Sequence, residues 1–228
     1  MNPDDPTTAA KAILDGQRGQ WDTTFAHKPE MFGAQPSDPA REAAEVFIRE
    51  SKTTLLELAG GQGRDTLYFA RRGLNVTVLD YSPQALEAIA AKADASGLGA
   101  RTTPMQHDVR EPLPFADASF DCCFSHMLFC MALTTPELER LSREVCRVLV
   151  PRGLCVYTVR HTGDAHWRAG IHRGEEMYEV GGFIVHFFTA EKVRDLANGY
   201  EVVGIDEFEE GGLPRKLFRV TLRKEGST

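Results

Sequence analysis

Long apolar runs, paired cysteines and an excess of positive charge are all missing from this sequence. No stretch of the 228 residues approaches the roughly 18 apolar side chains of a membrane-spanning helix. The N-terminal MNPDDPTTAA is polar and acidic, which argues against a secretion leader. Lys and Arg number 26 against 33 Asp and Glu, a formal charge of −7, which disfavours a large nucleic-acid footprint. The five cysteines include no CxxC pair, and an odd number in largely apolar surroundings reads as reduced thiols in a cytoplasmic protein. Neither HxH nor HExxH occurs, so no metal site is expected. Internal repeats and low-complexity segments are absent too.

What is present is an alternation of short apolar runs with helix-like segments. Leu55–Leu58, Asn75–Leu79, Thr102–Gln106, Phe120–Phe124 and Leu154–Val159 read as strands. Helices are expected at Arg64–Arg72, at Gln84–Ala95 behind Ser82 and Pro83, and from Pro136 to about Leu149 behind a Thr135 cap. Val202–Ile205 and Phe218–Leu222 supply two closing strands. The pattern predicts an α/β fold: a doubly wound, mostly parallel seven-stranded sheet with helices on both faces. Residues 1–228 are expected to form one domain. It comprises a helical and loop-rich lid region over 1–50, a core over 51–160, a His- and Gly-rich insertion over 161–189, and closing strands over 190–228. Within the first region only Pro39–Glu50 reads as helix, and WDTTFAHKPEMFGAQPSDPA reads as loop.

The densest signal is LLELAGGQGRD, Leu55–Asp65. An apolar strand ends at Glu57, and the turn after it carries Ala59, Gly61 and Gly63. Such a turn lets backbone N–H groups approach a ligand, with a helix N-terminus beyond. Residues 64 and 66 are Arg and Thr, so the turn fits a pyrophosphate poorly. Asp80 ends the second strand, where an acid accepts hydrogen bonds from ribose hydroxyls.

These motifs resemble the class I S-adenosylmethionine-dependent methyltransferases. LLELAGGQGRD is similar to the family's first motif, VTVLDYS to its second, MQHDVREPLPFADASFDCCFSH to its third and fourth, and LSREVCRVLVPRGLCVYTV to the segment that follows. GQGRDTLYFARRGLNVTVLDYSPQAL is closest in appearance to the tellurite-resistance and thiopurine-type branch, which acts on small molecules. The resemblance implies S-adenosyl-L-methionine as cofactor. It places Glu57, Ala59, Gly61 and Gly63 beside the methionine part, Asp80 on the ribose, Tyr81, Asp108 and Val109 at the adenine, and Ser125 beneath the methyl group. Ala59 stands where the family usually has glycine, a methyl that is tolerable if φ is negative. No (N/D)PP(Y/F) tetrad follows strand four; SHMLFC stands there, which favours a small-molecule acceptor over a base or a protein amide.

Candidate catalytic side chains follow strands four and five: His126, Arg160 and His161. Further on lie His166, His172 and His186, in a stretch expected to act as a mobile substrate lid. His186 reads equally as a core histidine. Cys130 reads as a small buried hydrophobe or, alternatively, as a thiol for a metalloid. The expected activity is methyl transfer to a small acceptor such as a thiol or metalloid. The alternatives are a nicotinamide-dependent oxidoreductase and a non-catalytic adenosylmethionine-binding protein.

Overall fold

The computed structural model describes residues 6–28, 30–211 and 215–226. A seven-stranded sheet has the order β3-β2-β1-β4-β5-β10-β9. Its strands are β1 (Thr54–Leu58), β2 (Asn75–Asp80), β3 (Thr102–Gln106), β4 (Phe120–His126), β5 (Leu149–Arg160), β9 (Tyr200–Glu210) and β10 (Arg215–Lys224). The first five run parallel, and β10 lies antiparallel to both its neighbours, β5 and β9. That antiparallel strand separates this sheet from the dinucleotide-binding order expected of the oxidoreductase alternative.

Four of the five residues of β1 are buried, because helices cover both faces of the sheet. Alternation along the strands divides the core. Leu55, Cys122 and Leu154 join Phe47 and Phe69 on one face. Leu56, Cys123 and Cys155 join Leu138 and Leu141 on the other. The first face is covered by α2 (Asp38–Arg49) and α3 (Arg64–Arg71), with α4 (Pro83–Ala95) alongside them. The second is covered by α5 (Thr135–Val148) and α6 (Ala190–Asp195). Ser82 caps α4 by accepting from Ala85 N at 3.3 Å. The cap of α5 is Thr134 rather than Thr135: the Glu137 carboxylate accepts both the Thr134 N–H and its hydroxyl at 2.8 Å.

Two expectations need correction. The stretch read as loop from Trp21 onward begins inside a long helix, α1 (Pro6–His27). The insertion read as irregular contains a three-stranded antiparallel sheet of β6 (Ile171–His172), β7 (Met177–Val180) and β8 (Phe183–His186). The Gln17 side chain joins the two: it donates to Gly182 O and accepts from Ile184 N, both at 3.0 Å. The closing strands are also much longer than their apolar cores, so the β9–β10 hairpin runs past the end of β5.

Candidate functional site

The strand order reverses between β1 and β4, and the glycine turn leaves the carboxyl end of β1 at that switch point. The turn is held from below. Ala59 N donates to Leu79 O at 2.7 Å, and Gly61 N donates to Asp80 Oδ2 at 3.0 Å. Ala59 has φ +56°, so its methyl sits in the left-handed region rather than at the negative φ the sequence reading required. Gly60, unremarked in the sequence, is the position where a side chain is impossible: a Cβ there would lie 2.3 Å from Val78 Cγ2. Gly61 and Gly63 have φ +54° and +87°. A Cβ on Gly63 would meet Ile89 at 2.7 Å, so this glycine admits α4 against the start of α3.

The acids beneath the turn are buried. Glu57 is 3% exposed, and its Oε2 has no hydrogen-bond partner. Burial, with Asp65 and Asp80 nearby, pushes its pKa up to about 8. Asp80 is 6% exposed and accepts from Gly61 N and from Ser82 N at 2.9 Å. Burial raises it to about 6 against the pull of those backbone donors. Tyr81 follows, with the Arg18 guanidinium of α1 at 5.6 Å from its ring centre. Ser125, fully buried at the end of β4, donates to Leu58 O at 3.3 Å. Val109 packs into the core beside Leu113.

Asp108 departs from its expected role. The Arg110 guanidinium and backbone N–H occupy both its oxygens at 2.7–3.2 Å, and Arg110 also pairs with Asp15 of α1. Burial would raise this carboxyl, but the Arg110 hydrogen bonds outweigh it and hold the pKa below the usual range.

A roof covers the turn. Phe25 and Phe32 lie against Gly61, and with Trp21 and Phe183 of β8 they form an aromatic cluster with centroid spacings of 4.7–6.5 Å. Gln62, inside the glycine turn, donates to Lys28 O at 2.7 Å and accepts from Met31 N at 3.1 Å. Arg64 donates to Phe32 O at 3.2 Å. The turn therefore grips the segment that covers it.

On the β4–β5 side the histidines and Arg160 are satisfied, although the buried Tyr157 hydroxyl of β5 has no partner. His126 Nδ1 lies 2.9 Å from Thr158 Oγ1, and Nε2 lies 3.3 Å from Glu210 at the tip of β9. Glu210 also sits 3.6 Å from Arg64, so the hairpin reaches across the sheet to the glycine turn. Arg160 and His161 do not join His126. Arg160 is paired with buried Asp164, and its guanidinium lies 5.4 Å from the Phe187 ring centre. His161 stacks on Phe218 at 4.5 Å. His186 is fully buried: Nδ1 bonds Leu133 O at 2.7 Å, Nε2 meets Lys192 at 2.6 Å, and burial lowers its pKa to about 4. This is the core histidine of the two readings. Cys130 is also fully buried, its thiol pushed up to about 11, which removes it as a ligand for a metalloid.

The profile of the methyltransferase-domain family matches residues 55–153. A curated "uncharacterized methyltransferase" of Mycobacterium sp. (strain JLS) is 34% identical over 136 residues, covering 57% of this chain and 50% of the relative. The chain thus spans about half the length of that protein. Among solved structures, the 1,6-didemethyltoxoflavin-N1-methyltransferase of Burkholderia thailandensis superposes with TM-score 0.73 at 17% identity, over 99% of this chain and 93% of that one. TehB from Haemophilus influenzae gives TM-score 0.67 at 14% identity, over 90% and 67%. The strand order, the acids that end β1 and β2, and the matched span agree: residues 55–153 carry a match to the methyltransferase domain, on a sheet shared with solved methyltransferase structures.

Proposed function

We propose that residues 1–228 act as one methyltransferase domain that moves a methyl group from S-adenosylmethionine to a small organic acceptor. The observation that carries this reading is Glu57. A buried carboxyl with an unpartnered oxygen, at the switch point and beneath a turn of bare backbone, is complementary to a ligand that brings hydrogen-bond donors or positive charge. When bound, S-adenosylmethionine supplies a methyl group on a sulfonium, open to in-line attack. The turn from Ala59 to Gly63 and Glu57 hold its methionine end, Asp80 its ribose, and Tyr81 and Val109 its adenine, with Ser125 as floor. Asp108 serves here by ordering the loop that carries Val109, since Arg110 fills its acceptors.

The roof excludes water and packs aromatic surface on the acceptor. His126 at the mouth is bonded on both nitrogens, an arrangement suited to a soft acceptor such as a thiol, whose thiolate needs no general base. The tellurite-resistance and thiopurine-type stretch supports the same choice.

Calorimetric titration with S-adenosylmethionine, S-adenosylhomocysteine and NAD tests the core of the reading. Binding of both adenosyl compounds and none of NAD is expected, and the reverse pattern sinks it. Labelled cofactor offered with thiols, phenols, amines and metalloid oxyanions tests the acceptor, with label expected on thiols first.

A further inference from the structure

We propose that Asp22 of α1 is a cofactor-contacting residue that accepts a ribose hydroxyl from the side opposite Asp80, which makes the N-terminal helix part of the cofactor site. This rests on the adenosylmethionine reading above.

Helix spacing places the side chain. Arg18, Asp22 and Phe25 stand at i−4, i and i+3 and share one face of α1. Arg18 lies over the Tyr81 ring and donates to Tyr81 O at 3.3 Å. Phe25 lies against Gly61. Tyr81 follows Asp80 in the chain, and Gly61 donates its N–H to the Asp80 carboxylate. The residue between Arg18 and Phe25 therefore sits above Asp80, and the Asp22 charge acts on both Asp80 and Tyr81.

Its chemistry points the same way. Asp22 Oδ1 is shielded from solvent and has no hydrogen-bond partner. Asp80 is close enough for the Asp22 charge to act on it, so these two carboxylates repel and neither supplies the other with a donor. Asp80 has filled its acceptors from below with Gly61 and Ser82, leaving the side toward α1 for a ligand. A vicinal diol brings two O–H donors, one for each carboxylate. Glu57, close enough to raise its own pKa through Asp80, shows the same unfilled acceptor deeper in the site.

The test compares wild type with Asp22→Ala in two titrations, with S-adenosylhomocysteine and with its 2′,3′-dideoxyribose analogue. The variant is expected to bind S-adenosylhomocysteine about ten- to a hundredfold more weakly, the scale of one hydrogen bond to a charged acceptor. For the dideoxy analogue the two proteins are expected to bind alike. Equal affinity of both proteins for S-adenosylhomocysteine overturns the inference. So does an equal loss for both ligands, because Asp22 would then act only by docking α1. Asp22→Asn, which keeps an uncharged acceptor, should fall between them, and its circular dichroism reports whether α1 persists. A wild type that binds neither compound removes the methyltransferase reading itself, a different result from any of these.

Discussion

The two sides of the switch point treat their carboxyl, guanidinium and imidazole groups in opposite ways. On the β1–β2 side, Glu57 and, from the roof, Asp22 each keep a buried oxygen without a donor, and Asp80 is bonded from below only. On the β4–β5 side, Arg160 has Asp164, His126 has Thr158 and Glu210, and His186 has Leu133 and Lys192. Buried charged groups are costly unless paired, so unpaired carboxylates at the switch point mark where the fold expects a ligand, and the paired set marks structure. By residue type alone the histidine-rich side looked the more chemical of the two.

Breaking the satisfied side should damage folding without touching binding. Arg160→Ala leaves the buried Asp164 charge with only its backbone donors, His166 N and Lys216 N, and is expected to cost about 3 kcal/mol of stability. Denaturant melts read that loss. The folded fraction should bind S-adenosylhomocysteine with unchanged affinity, and a large fall in affinity would erase the contrast between the sides.

Changing the unsatisfied side should do the reverse. The folded pKa of Glu57 is raised from 4.5 to about 8, so the carboxyl holds its proton while the unfolded chain gives its own up. The ligand-free protein therefore loses stability as pH climbs through that window. Glu57→Gln removes the titration and is expected to stabilise the free protein by about 2–4 kcal/mol at pH 8, with no gain below pH 4. Cofactor binding should be lost in the same variant. A variant no more stable than wild type at pH 8 would show that Glu57 already has a partner. Asp80→Ala should weaken cofactor binding by about 1–3 kcal/mol, measured by calorimetry. Ala59→Gly is the smallest change, a stabilisation of about 1 kcal/mol or less. It relieves the left-handed alanine at φ +56°, partly offset by the freedom glycine gains when unfolded, and appears as a small rise in melting temperature.

How legible this was in the sequence depended on distance along the chain. The motif acids Glu57 and Asp80 and the caps around Ser82 are local signals, and the fold could be read from them and from the spacing of the strands. The full extent of α1 was hidden because Gly16 and Gly19 and the Thr23–Thr24 pair weaken its helical pattern, and its stability comes from docking onto β8 and the glycine turn. Gly60 was passed over because its constraint is Val78, on the neighbouring strand. Asp22, Gln62 and Glu210 meet their surroundings only in three dimensions. For the same reason Arg160 and His161 looked free in the sequence, while Asp164 and Phe218 hold them in the fold.

The Gln17 amide has a kinetic consequence. One side chain fixes α1, which roofs the glycine turn, to the β7–β8 hairpin, and Trp21 packs on Phe183 beside it. For the proposed activity, the two covers are then expected to open together, so that donor entry and product release share one opening rate, which Gln17→Ala should raise.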